Sequence, residues 1–237
     1  MYWKLILLFL SAFLGGVSVF LFKGGSHKQL KLVLSFSGAY LFSITVLHLI
    51  PDAYHGNDHL VGVFILIGFI FQIVLEQFSD GIEHGHMHLH HHDKAAFPLG
   101  IMVSLCLHGF LEGMPLARGY QTQLVFGIAL HHIPAAFALG TVLLANHQSR
   151  TKTVFFIVLF ASMAPTGYFF SDALSNGGVG NLQQYFNRIM GVVIGIFLHI
   201  STTILFEAGP DHTFNRRKLI AVLLGVGIAL GGFITEL

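Results

Sequence analysis

Leu105-Cys106-Leu107-His108-Gly109-Phe110-Leu111-Glu112-Gly113-Met114-Pro115 is the stretch whose reading decides this chain. It lies in an apolar run, 97–117, matching the roughly 20 mostly apolar residues that a helix needs to cross a bilayer core. Yet the run carries an imidazole and a carboxylate. His108 and Glu112 are four positions apart, so on a helix they project from one face, about one turn from each other. A charge at that depth costs roughly 2.5 kcal/mol or more, which is why such residues face a bundle interior, a cavity or each other. A bound divalent cation would give the carboxylate back the electrostatic partner it lost on leaving water.

Outward from this stretch the same apolar length recurs. Runs at 5–22, 30–53, 60–78, 97–117, 123–145, 153–174, 189–207 and 219–235 make eight candidate spans with little sequence between them. Of the 237 residues, 54% are hydrophobic and 10% charged, against about 25% charged in soluble domains, so a soluble globular fold is excluded. The fold class is an all-α membrane protein of eight transmembrane helices, with 1–237 forming a single transmembrane domain. The first run follows Lys4 as a signal peptide would, but it continues to Phe22 with no A-x-A-like cleavage site, and is expected to be a retained span. A net charge of +1 points to no nucleic-acid partner. With Cys106 the one cysteine, a single chain offers neither a disulfide nor a thiolate cluster. Any metal it binds is held by nitrogen and oxygen.

Cytoplasmic loops collect Lys and Arg. Lys23, Lys28, Lys31, Lys94, Arg150, Lys152, Arg216, Arg217 and Lys218 fall in or beside the loops after spans 1, 3, 5 and 7, whereas Lys4, Arg118 and Arg188 fall on the other side. Both termini are therefore expected outside the cytoplasm and the long loop 79–96 inside. Span 2 closes on His48-Leu49-Ile50-Pro51-Asp52 and span 7 on Glu207-Ala208-Gly209-Pro210-Asp211, each with a ligand-type residue three positions before Pro-Asp. These spans run in opposite directions, so spans 1–3 and 6–8 read as an inverted repeat around spans 4 and 5, a 3+2+3 bundle. That arrangement puts a binding site near the midplane.

Span 5 contains Leu130-His131-His132-Ile133-Pro134-Ala135. Pro134 cannot donate to Leu130, and Pro115 likewise frees Leu111, so each helix is expected to bend or loosen beside its polar residues. His131 and His132 differ by about 100° around a helix, so one is expected to face His108 and Glu112 and the other a neighbouring helix. His199, inside span 7, reads equally as ligand or as interhelical hydrogen bond. His48 and Asp52, four apart near the outer end of span 2, suggest a vestibule. In loop 79–96, His84, His86, His88, His90, His91 and His92 form a tract with acids on both sides. It has too little apolar content to fold alone and reads as metal-binding low complexity. Imidazole suits zinc, copper, iron and nickel.

These features resemble the ZIP (Zrt/Irt-like) family of divalent metal transporters. The likeness runs over essentially the whole chain. It is most specific at His108-Gly109-Phe110-Leu111-Glu112-Gly113, similar to the family's H-N-x-P-E-G, and at His131-His132-Ile133-Pro134-Ala135, similar to its H-N/E-I-P-E/H. The resemblance implies that spans 4 and 5 hold the transported metal and deliver it to the cytoplasm by an elevator-like displacement. It also shows departures. Gly109 stands where Asn is usual, His132 where Asn, Asp or Glu is, Ala135 where a bridging Glu or a His is, and Ala164 precedes Pro165 where related bacterial sequences have Glu. One metal position is therefore expected rather than two, built from His108, Glu112 and His131, with His132 a fourth ligand if the helix opens. Three N/O ligands and an open position suit zinc.

The expected function is a zinc permease, with Fe2+, Mn2+ or Cd2+ as other cargoes, no organic cofactor, and the divalent ion and the lipid bilayer as partners. Its inner histidine tract would receive the ion. The alternative is a transport-inactive metal sensor or scaffold descended from transporters, motivated by Ala135 and Ala164. An intramembrane metallohydrolase is disfavoured, because neither H-G-F-L-E nor H-H-I-P-A supplies the H-E-x-x-H geometry of a zinc protease. Gly225, Gly227, Gly231 and Gly232 in span 8 permit close packing within a chain or in a homodimer. The short inner loop fits a bacterial plasma (inner) membrane.

Overall fold

The computed structural model describes residues 2–21, 27–55, 58–79, 81, 97–118, 122–175, 185–206 and 216–236. Among them there is no strand. Eight helices are long and apolar enough to cross a membrane: span 1 Tyr2–Phe20, span 2 Leu30–Tyr54, span 3 Val61–Ser79, span 4 Leu99–Ala117, span 5 Thr122–Ala145, span 6 Arg150–Leu174, span 7 Phe186–Phe206 and span 8 Arg216–Thr235. Each falls on one of the apolar runs read from the sequence. The chain is a multi-pass membrane protein. The histidine tract 84–92 and the segment Glu207–Asp211 lie outside the described residues.

Prolines shape the helices that carry polar residues. Span 2 passes through one π-helical turn, Thr45–Leu49, where Ile50 N–H bonds back to Thr45 O. This wider turn carries His48 and ends two positions before Pro51, which has no N–H to give to the ladder. π-bulges of this kind collect at functional sites. Span 4 is α-helical over Leu99–Gly113 and then tightens into a 3-10 turn, Met114–Arg118, that contains Pro115. Span 5 remains one helix from Thr122 to Ala145 with Pro134 inside it.

Glycines set which helices lie backbone to backbone. A Cβ on Gly68 of span 3 would run into the carbonyl of Val192 on span 7, and one on Gly195 into that of Ile65. Gly113 meets Ala164 O, and Gly167 meets Phe110 O, in the same way between spans 4 and 6. Gly15 of span 1 lies against Ile133 of span 5, and Gly225 of span 8 against Phe36 of span 2. Small residues let transmembrane helices approach until dispersion and weak backbone contacts hold them, since lipid offers no hydrophobic drive between helices. Gly232 faces Gln123 of span 5, whereas Gly227 and Gly231 look into open space.

The most extensive pairings are spans 3 with 7, 2 with 8, 1 with 5, 4 with 6 and 1 with 6. Together with the packing of span 2 on span 7, they divide the eight helices into two groups, spans 1, 4, 5 and 6, and spans 2, 3, 7 and 8. The groups meet where span 2 packs on span 5 and span 3 on span 4. Hydrogen bonds cross there from Tyr40 Oη to Gln123 O (3.1 Å) and from Ser104 Oγ to Leu75 O (2.9 Å). Large apolar side chains such as Leu66, Ile70 and Phe78 on span 3 and Ile220, Leu223 and Ile228 on span 8 are exposed, as helices bathed in lipid require.

Candidate metal site on spans 4 and 5

His108 and Glu112 project inward from span 4 one turn apart, as their spacing requires, and span 5 brings His131 and His132 against them. All four are buried; three have no exposed surface and His132 has 1%. His108 Nε2 lies 3.3 Å from Glu112 Oε1. The rings of His108 and His131 meet edge to face with centroids 5.7 Å apart. One ligand atom from each of His108, Glu112 and His131 falls within 4.8 Å of the other two. Around a tetrahedral ion with bonds of about 2.1 Å, ligand atoms stand ~3.4 Å apart, so small side-chain rotations close this trio on a zinc-sized cation.

His132 uses the carboxylate's other side. Its Nε2 is 2.5 Å from Glu112 Oε2. Helix spacing alone predicts one histidine of the pair turned to the site and the other to a neighbouring helix; in the fold both meet span 4. Across the roughly 100° that separates them on the helix, His132 reaches Glu112 Oε2 and His131 lies against the His108 ring. Behind His132 stands Phe160 of span 6, its ring centroid 5.5 Å away.

The trio is a nitrogen and oxygen donor set in an apolar shell, with chemistry suited to zinc and its neighbours. Residues 98–232, more than half the chain and including both site helices, match the family model described as ZIP Zinc transporter. The chain belongs to the ZIP family. It is similar to rice (Oryza sativa subsp. japonica) Zinc transporter 1, at 29% identity over 54% of this chain and 40% of that protein. It is also similar to mouse Zinc transporter ZIP1, at 26% identity over 95% of this chain and 86% of that protein. A third relative is Xenopus tropicalis Zinc transporter ZIP9, at 24% identity over 76% of this chain and 68% of that protein. This chain thus aligns with less than half of the rice protein and with most of the mouse one.

Within the ZIP bundle the other sequence candidates lie apart from the trio. His199 Nε2 bonds Glu76 Oε2 of span 3 at 2.7 Å and sits edge-on to Phe69, ring centroids 5.0 Å apart. His48 packs edge-on against Phe233 of span 8 at 5.2 Å. Asp52 is 3.3 Å from His55 Nδ1 and, with Asn187 and Pro115, lines a cleft where spans 2, 4 and 7 meet. The polar partner of His199 was invisible to helix periodicity, because Glu76 belongs to a different span 123 positions away. The same holds for Arg188, whose Nε bonds Asp58 Oδ2 at 2.8 Å. That guanidinium, and then the Leu60 N–H, hold the Asp58 carboxyl below its usual range.

Proposed function

We propose that this ZIP-family chain carries divalent transition-metal ions, zinc foremost, across the membrane into the cytoplasm through one site made by His108, Glu112 and His131. The observation that carries this reading is the trio itself: three ligand atoms within 4.8 Å of one another, all on fully buried side chains. An uncompensated carboxylate at this depth is expensive, and a cation offsets that cost. The zinc-transporter names of the relatives support the choice of cargo. Three protein ligands leave room for water in the shell, so the ion is held firmly enough to enter and loosely enough to leave.

For the movement we favour an elevator-like displacement with alternating access. All site residues belong to the group of spans 1, 4, 5 and 6, which packs within itself more extensively than against spans 2, 3, 7 and 8. Exchanging spans 1 with 6, 2 with 7, 3 with 8 and 4 with 5 maps the 3–7 pairing onto 2–8 and the 1–5 pairing onto 4–6. This supports an inverted repeat with its axis at the metal site. On the outer side, Asp52 and His48 are the proposed approach. On the inner side, His199 and then His84, His86, His88, His90, His91 and His92 are the proposed exit, with both termini outside. Outward-facing Gly227 and Gly231 leave room for a second copy along span 8.

A second reading, a metal-binding relative that has lost transport, has its own motive: the buried positions 109, 135 and 164 hold Gly, Ala and Ala. Zinc uptake into proteoliposomes, with iron, manganese and cadmium as competitors, separates the two. Flux in the wild type that disappears in His108→Ala/Glu112→Ala is the expected result. Zinc binding without flux in the wild type would establish the second reading instead.

A further inference from the structure

We infer that His132 is the positioning residue of this site rather than one of its ligands, and that its bond to Glu112 restricts the site to a single ion. The inference rests on the metal reading above and refines it.

With Glu112 ionised, as a metal ligand is, its oxygens only accept hydrogen bonds, so in the 2.5 Å contact His132 Nε2 is the donor to Glu112 Oε2. Nε2 so protonated has no lone pair for a metal, and the ring's other nitrogen, Nδ1, does not fall in the group of atoms close enough to share the ion. Glu112 Oε2 is thereby engaged, and Oε1, 3.3 Å from His108 Nε2, is the oxygen that faces the histidine ligands. The group of atoms close enough to share an ion consists of His108, Glu112 and His131. With Oε2 taken up by His132, Glu112 presents Oε1 to the histidine ligands, an arrangement that favours one cation over a bridged pair.

The orientation of His132 is built in by packing from span 6. Phe160, without exposed surface, backs the His132 ring. Gly109 lies close to this ring: a Cβ there would stand 3.3 Å from Phe160 Cε2, so a larger residue would make the ring give by a few tenths of an ångström. Gly109, Phe160, His132 and Glu112 thus form one mechanical series across spans 4, 6 and 5, ending on the carboxylate. Such outer hydrogen bonds fix ligand orientation, and their loss weakens metal affinity about 10- to 100-fold.

The test uses the purified full-length chain in detergent with Co2+ as probe, whose visible bands report its ligands. Because the chain has sixteen histidines, every spectrum is read as a difference from His108→Ala/Glu112→Ala. The wild type is expected to bind one Co2+ more than that variant. His132→Gln, whose side-chain amide still donates, should keep the band pattern with affinity within about threefold. His132→Leu should keep the pattern and lose affinity by about 10- to 100-fold. His131→Ala should change the pattern. A band change in His132→Gln that matches His131→Ala, or two extra Co2+ in the wild type, would overturn the assignment while leaving the metal site standing. No difference between wild type and His108→Ala/Glu112→Ala would overturn the metal reading itself.

Discussion

His199 Nε2 and Glu76 Oε2 stand 2.7 Å apart and join span 7 to span 3. Both belong to the helix group that does not carry the trio, and His199 is further held edge-on to Phe69. Hydrogen bonds involving a charged group are worth about 1.5–3 kcal/mol. We therefore expect His199→Ala and Glu76→Ala each to lower stability by about that amount, and the double variant to cost less than the sum, with a coupling on the order of 1 kcal/mol. Thermal unfolding in detergent measures this. Unchanged stability would show that this bond does not hold the frame and would leave His199 only its proposed part in the exit path.

Uptake should depend on pH with a definite sign. Imidazole ligates metal only when neutral, so protons compete with the ion at His108 and His131. Zinc uptake is expected to fall as pH drops from about 7.5 to 5.5, a window around the ordinary imidazole pKa. Radiolabelled flux at fixed free zinc measures it, and a steady rise toward pH 5.5 would contradict the assigned ligands.

Asp58, which lies just before span 3 and pairs with Arg188 at the start of span 7, gives a separate acid signature. Arg188 lowers the Asp58 carboxyl in the folded chain from its ordinary 3.8. A depressed carboxylate contributes stability that is present above the unfolded value and lost as pH falls through the folded one. The wild type should therefore lose its margin over Arg188→Gln only below about pH 4, the range of a free Asp. The pair is only half-buried and open to solvent screening, so the margin is expected to be small and to shrink in salt. Melting curves of the two proteins across pH and ionic strength test this.

Two glycine-to-alanine changes should differ sharply although both lie on apolar helices. Gly195→Ala drives a methyl into the Ile65 carbonyl, whereas Gly227 has nothing within reach of an added Cβ. Overpacking costs about 1–3 kcal/mol, so Gly195→Ala should melt markedly lower. Gly227→Ala should be neutral or slightly stabilising, because alanine favours helix by about 1 kcal/mol over glycine. Equal melting of the two variants would mean that spans 3 and 7 do not meet as described.

Legibility followed the kind of force involved. Eight helices could be read directly because the bilayer demands an apolar length and internal backbone bonding, and each run reappears as a span within a few residues. The pairing of His108 with Glu112 was equally readable, since one helical turn is a local distance. Contacts between helices were not. Nothing in the periodicity of span 3 names His199 as the partner of Glu76, and nothing in the loop before Leu60 names Arg188 as the partner of Asp58.

The amino-acid sequence by itself determined the number of spans, the family resemblance and the four polar residues of spans 4 and 5, because these depend on composition and on spacing along one helix. The resemblance already set His131 with His108 and Glu112 and left His132 as a possible fourth ligand; only the tertiary structure decided where His132 goes. His131 closes the trio with His108 and Glu112, while His132 takes the carboxylate's second oxygen. That division depends on the angle and depth at which span 5 meets span 4 and on the Phe160 ring behind it. These are properties of packing between distant segments, set by glycine contacts such as Gly113 on Ala164 and Gly15 on Ile133, which no periodicity within a single helix encodes.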